Sequence, residues 1–414
     1  MQQTVEANSS FRLISWLNPS ANYSITTIEN NNLTVATVTV AQSSAVFNTG
    51  EIKTVNRTSQ GSVNLTLNMN EIMPRNKLLR SFVVSSNYQL QDGDVWQNME
   101  KSFDSRKRLW IRDGLKPSNP YASKTSLTTR DTYSSTQRWQ PFEGYSFKNK
   151  LSTLSTLSIS NNYNLSSQKT FTTGTRTQTV NKTFPDLIFT LSQLETLFKA
   201  QKWAYGATMN LKYSKNSNET KTSSLETAKT YGTDLRFRLL NYIDSSLSYN
   251  FRTGNKMDLK TAQKTSQTKH HDATLQGTFD HKKFRFTPKI DFSKDYAEGT
   301  LKTVTQDVIQ ITPSVLIKTD IQAPKGLKLP FAKDTVMFTN RIIWTNTISY
   351  AIKKSPITSA DNNKLLSLNS VADYEASKNL RVSFNASVQR LWHKYLKQEE
   401  YLSYQAGSTV TFQF

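Results

Sequence analysis

Cysteine is absent from all 414 residues, which removes both a disulfide framework and any cysteine-ligated metal site. Glycine is scarce, with 13 residues, and the chain has no phosphate loop, no Gly-x-Ser-x-Gly elbow and no dinucleotide fingerprint. No run of about 18 to 20 apolar residues occurs, so no helix of this sequence can span a bilayer. Hydrophobic residues make up only 36% of the chain and mean hydropathy is -0.57. That is too polar for a helical membrane protein and thin for a large soluble core. Acidic residues are also short: 31 Asp and Glu face 52 Lys and Arg, a net charge of +21. Such a field attracts polyanions. The basic residues are spread along the strands rather than gathered on one helix or loop. Lumen or rim charge, or contact with lipid phosphates, therefore explains them at least as well as nucleic-acid binding, and no nucleic-acid partner is expected.

Catalytic chemistry has little to stand on. The four histidines, His270, His271, His281 and His393, form no metal-ligand or nucleophile pattern, and His270-His271 reads as a loop pair. Asp92, Asp94, Asp361 and Glu399-Glu400 read as isolated loop carboxylates. The expectation is no enzyme, no cofactor and no metal. Met1-Gln2-Gln3-Thr4 opens no secretory signal, so an envelope protein with this start is expected to be a processed form or part of a longer chain.

What is present is aromatic content, 11%, and period two. Leu235, Phe237 and Leu239 alternate with Asp234, Arg236 and Arg238; Leu247, Tyr249 and Phe251 alternate with Ser248, Asn250 and Arg252. A short turn near Asn241 joins these two strands. Phe284, Phe286, Ile290 and Phe292 alternate with Arg285, Thr287, Lys289 and Asp291, with Pro288 expected at a bulge or an edge. Leu380 to Val388 alternates against Arg381, Ser383 and Asn385. Such alternation sorts side chains between two environments, as in a transmembrane β-barrel whose lumen is wet and whose outside meets lipid. The fold expected is all-β, an antiparallel transmembrane β-barrel or a segment of one, with roughly 14 to 18 strands of about 9 to 11 residues. One unit over residues 1–414 is expected; the alternation quoted above lies wholly outside 1–71.

Polar stretches at Lys215 to Tyr231 and Arg252 to Asp272 read as long loops, against short connections such as Ala376 to Asn379. The longest uncharged stretch, Asn30 to Gly50, has strand chemistry. Short helical turns are expected at Ile72-Met73-Pro74, at Leu191 to Phe198 with Ser192 and Glu195 as a capping box, and at Leu329-Pro330-Phe331. Trp16, Tyr23, Tyr88, Trp203, Tyr213, Trp344, Tyr350 and Trp392 are expected near strand ends as interfacial girdles. At the chain's end Val410, Phe412 and Phe414 share one face, which is similar to the C-terminal insertion signal of bacterial outer-membrane barrels. Arg236, Arg238, Arg285, Lys289 and Arg381 are the candidate lumen-lining residues.

From about Ile72 onward the sequence resembles the C-terminal part of the SprA family, the large outer-membrane translocon of type IX secretion and gliding motility. The residues that carry this are Gln137-Arg138-Trp139-Gln140-Pro141-Phe142-Glu143-Gly144, then Phe184-Pro185-Asp186-Leu187 with Leu194-Glu195 and Phe198, the Tyr205 to Tyr213 strand, Leu329-Pro330-Phe331 and the closing Phe414. The resemblance implies a cell outer membrane location and a barrel that passes secreted proteins, working with outer-membrane lipids, a partner barrel and a periplasmic plug. Family members are several times longer, so the chain is expected to be part of a split translocon or a smaller relative. A stand-alone porin preferring anions is the alternative, and a soluble β-rich adhesin or nucleic-acid binder the third reading.

Overall fold

In a computed structural model the protein is described over residues 1–10, 14, 16–30, 52–118, 122–147, 149–172, 174–327, 336–377 and 380–412. Among these residues seventeen strands form one sheet. The first eight are β1 (Gln2–Ser10), β2 (Leu17–Asn30), β3 (Ile52–Asn68), β4 (Val83–Glu100), β5 (Ser123–Trp139), β6 (Ser158–Thr172), β7 (Thr175–Ser192) and β8 (Ala204–Thr220). There follow β9 (Ser224–Leu239), β10 (Ile243–Asp258), β11 (Lys264–His281), β12 (Phe284–Glu298), β13 (Val304–Leu327), β14 (Val336–Lys354), β15 (Asn363–Ser377), β16 (Leu380–His393) and β17 (Tyr401–Phe412).

Each strand pairs antiparallel with the next in sequence, from β1 with β2 through to β16 with β17. Hairpin connection explains this order, because a short turn can only return the chain beside the strand it has just left. The expected all-β antiparallel class is therefore what the chain adopts. We call the rim reached by the turns after β2, β4 and the other even strands the upper rim, and the opposite one the lower rim.

Several local expectations change. The stretches Lys215 to Tyr231 and Arg252 to Asp272 are not long loops: β8 runs on to Thr220, β9 starts at Ser224, and β10 and β11 are joined by residues 259–263. Where both faces of a hairpin are polar, the ladder continues in Thr, Ser, Asn and Lys with no hydropathy alternation to mark it. Strands are consequently longer than expected, 14 residues in β2 and 18 in β4 and β7, for example. Longer connections occur on both rims, at residues 101–122 above and at 69–82, 140–157 and 193–203 below. Pro288 lies at neither a bulge nor an edge: it sits inside β12 opposite Val315, and the β11 register is the same on both sides of it.

Helical turns appear where two of the three were expected, as α1 (Met69–Ile72) and α2 (Leu194–Leu197). Leu187 and Leu191 belong to β7, so the helical spacing through them is accidental. Nor is there a capping box. Gln193 is the N-cap, in the left-handed region at φ 59, and makes no side-chain cap bond. Glu195 instead accepts from the backbone N–H groups of Gly206 and Ala207, at 3.2 and 2.9 Å, tying α2 to the start of β8. Leu329-Pro330-Phe331, Phe414 and nearly all of Asn30 to Gly50 lie outside the described residues.

Candidate functional site

Register sorts the side chains of the sheet into two faces of opposite chemistry. Met209, Leu235, Leu247, Leu275 and Ile290 form one cross-strand row from β8 to β12. Val315, Ile348, Leu368, Val388 and Tyr404 form another from β13 to β17. Most of these side chains are exposed, Leu247 at 42%, Leu275 at 50% and Ile290 at 48%, while Met209, Leu235 and Val315 are half-buried. On β9 the apolar face runs from Tyr231 to Leu239, a rise of ~27 Å along the strand at ~3.4 Å per residue, or ~20 Å across a layer at the usual barrel tilt. An aromatic row closes the band above, Tyr213, Tyr231, Phe251 and His271, with successive ring centroids 5.0, 6.0 and 4.4 Å apart. Tyr213 and Trp344 thus mark levels within strands that overrun the band, rather than strand ends.

On the opposite, polar face stand all five candidate lumen residues, Arg236 and Arg238 on β9, Arg285 and Lys289 on β12, and Arg381 on β16. Four are held by carboxylates. Arg238 Nε meets Asp244 at 2.7 Å, Arg285 Nε meets Asp280 at 2.8 Å, Lys289 Nζ meets Asp291 at 2.8 Å and Arg381 Nη2 meets Asp373 at 2.8 Å. With Arg341 and Asp320 on β14 and β13, four successive lower-rim hairpins each carry one Arg–Asp pair. Such exposed pairs contribute about 0 to 1 kcal/mol each and chiefly fix side-chain direction. Arg236 lines an open groove of about 570 Å³ with Tyr205, Asn241 and Gln276.

The most tightly built polar cluster was invisible as such in the sequence. Asp92 and Asp94 are not loop carboxylates but lie in β4, two residues apart and so on one face. The connection after β4 folds back over that face. Arg57 of β3 donates from Nε to Asp94 at 2.9 Å and from Nη1 to the Arg108 carbonyl at 3.1 Å, while Trp96 Nε1 donates to Asp94 at 2.8 Å. Both members of the Arg57–Asp94 pair are fully buried. Arg112 donates to Asp92 at 2.7 and 3.0 Å and to Asp131 at 2.7 Å, and these carboxylates, Asp92 first, hold its guanidinium above its ordinary pKa. In the same connection Arg106 holds the half-buried Asp104 carboxyl below its usual range.

Beneath the fold-back, Val55, Trp96, Met99 and Leu115 make a small core with Phe103 and Ala122 against it. Tyr23 donates to the Leu109 carbonyl at 2.6 Å, and its ring lies across Gly61, where a Cβ would come within 3.0 Å of Cδ2. The signal that could have exposed this cluster is period two itself, since an Asp-x-Asp spacing inside a strand places both charges on one side.

The adjacent histidines also belong to a strand. In β11, His270 faces Asp272 and Asp295 on the polar side and His271 stacks on Phe251 on the apolar side. Among the described residues no group of three or more His, Cys, Asp or Glu is arranged to hold a metal. Val410 and Phe412 of the expected insertion signal lie on the apolar face, 51% and 62% exposed.

The fold therefore defines a single-sheet antiparallel meander with one apolar and one polar face. Similar solved structures include the ferric yersiniabactin uptake receptor FyuA from Yersinia pestis, at 11% identity and TM-score 0.40, covering 98% of this chain and 63% of that one. The siderophore receptor PirA from Acinetobacter baumannii is similar at 10% identity and TM-score 0.32, covering 99% of this chain and 70% of that one. This chain thus spans less than two thirds of the FyuA chain's length. No protein-family model and no curated protein matches the sequence.

Proposed function

We propose that this chain is a section of the wall of a protein-conducting barrel in the bacterial outer membrane, of the kind the SprA resemblance implies. The apolar face meets lipid. The polar face, with Arg236, Arg238, Arg285, Lys289 and Arg381, borders the aqueous path of the exported protein.

The observation that carries this reading is the pair of open edges. β1 and β17 are exposed along their whole length, and among the described residues no register joins them. Neighbouring strands alternate in direction, so strands 1 and 17 run the same way and cannot close on each other as an antiparallel pair. An odd number of further strands closes such a wall antiparallel, and bare edges are otherwise sites of uncontrolled pairing. Those strands, a partner barrel and a plug subunit are the partners this reading needs.

The absence of native cysteine makes the test direct. Thr4→Cys is combined in turn with Ser403→Cys, Gln405→Cys and Thr409→Cys, all on the polar face, with Thr4→Cys and Thr26→Cys as the facing control. Under mild oxidation in the membrane the control bridges and the other pairs do not. A β1–β17 disulfide formed in good yield would mean that the sheet closes on itself, which is the stand-alone porin and not a wall section.

A further inference from the structure

Four arginines of the lower-rim hairpins and a belt of lysines near the upper rim stand in different surroundings. On the polar face Arg238, Arg285, Arg341 and Arg381 each have an aspartate. Just above the aromatic row, on the apolar side, Lys215, Lys229 and Lys269 stand on β8, β9 and β11, and among the described residues none has a carboxylate within 4 Å. Lys215 lies directly opposite Lys229. Like charges facing each other across strands destabilise a sheet, and among the described residues no carboxylate within 4 Å offsets these two.

The same arrangement is better formed on β14 to β16. Going up the apolar side, the rows read Tyr350, Leu366, Arg390 and Leu402, then Ile352, Lys364 and Trp392. One row higher stand Lys354, at the end of β14, and Lys394, whose N–H donates to the Asn362 carbonyl. Lys354, Lys364, Trp392 and Lys394 border an open cleft of about 280 Å³. Arg390 places its guanidinium 5.7 Å from the Trp392 ring centroid. Each row is about 7 Å from the next along the strand, and cations accumulate going up, with Arg390 and Lys364 already in the two lower rows, where long basic side chains reach from an apolar level toward a polar one.

We propose that this upper belt binds the phosphate-bearing headgroups of lipids in the leaflet beside it, with Lys354, Lys364 and Lys394 around Trp392 as its best-formed seat. The inference rests on the reading that the apolar face meets lipid. A phosphomonoester supplies the acceptors these ammonium groups lack, and the acyl chains lie on the Leu366 and Leu402 level below. It follows that the upper rim faces the leaflet richer in phosphorylated lipid.

The full chain in detergent is presented with bisphosphorylated lipid A, with the same lipid dephosphorylated, and with inorganic phosphate, and bound lipid is counted by native mass spectrometry. The bisphosphorylated form is expected to bind more tightly. The K354Q/K364Q/K394Q variant is expected to lose affinity on the order of a hundredfold, and the corresponding arginine variant to keep it. Equal binding of the two lipids, an unchanged glutamine variant, or saturation by inorganic phosphate with no gain from the acyl chains each overturns the proposal. Flotation with phosphatidylcholine vesicles separates the two readings. Flotation without phosphate preference leaves the membrane reading standing and removes the lipid seat; failure to float removes both.

Discussion

Arg57 and Asp94 have no exposed surface, so neither charge can fall back on water if its partner is removed. Burying an ion pair is expensive, and leaving one half of it buried alone costs more, about 3 to 5 kcal/mol. Arg57→Ala is therefore expected to destabilise the chain by about that amount in chemical denaturation. It should also free the 101–122 connection to proteolysis, because Arg57 Nη1 holds the Arg108 carbonyl. The double substitution Arg57→Leu with Asp94→Leu is expected to cost much less, since no charge is left without a partner. Equal losses for the single and double variants would mean that packing, not charge, holds the fold-back in place.

At the scale of the strand, alternation makes neighbours inequivalent. Leu247 and Ser248 are adjacent in β10, yet they face opposite environments. Leu247→Arg puts a charge in the middle of the apolar band, where an outer-membrane barrel loses about 2 to 4 kcal/mol. Ser248→Arg puts the same charge on the polar face and is expected to change stability little. Comparative unfolding in lipid vesicles reads the difference, and similar effects at the two positions would remove the case for two solvents. The polar extensions of β8 to β11 obey a different rule. Their ladders persist above the aromatic row although neither face is apolar, because backbone pairing and tight turns suffice there.

For the whole molecule the decisive feature is a sheet that, among the described residues, is open and has parallel edges. On the proposed reading of a wall section, which encloses nothing by itself, the chain alone in a planar bilayer is expected to give no stable small conductance. A steady anion-selective step of uniform size would instead mark a closed pore lined by Arg236 and its neighbours. Electrostatics at this scale also differs from the sum of charges. Of the +21 net charge, the lower part of the polar face takes little, because arginine after arginine there is matched by aspartate. On the other side, near the upper rim, Lys215, Lys229, Lys354, Lys364 and Lys394 have no such aspartate among the described residues, whereas on the polar face Arg236 is the candidate left unmatched.

The sequence alone determined the strand chemistry, because period two is a local property: Phe237 beside Arg236 and Arg238 already requires an extended segment between two environments. It also placed Arg236 with Arg238 on one side of their strand, and Val410 with Phe412 on one side of theirs. Only the tertiary structure decided where strands end, since a wet hairpin has no hydropathy alternation to announce its limits, and whether Asp92 and Asp94 were loop charges or a buried anchor. Cross-strand register decided which charges meet, and the two edge strands, joined by no register among the described residues, decided that the sheet is open. Those are relations between residues far apart in the chain, fixed by backbone pairing rather than by the identity of any neighbour.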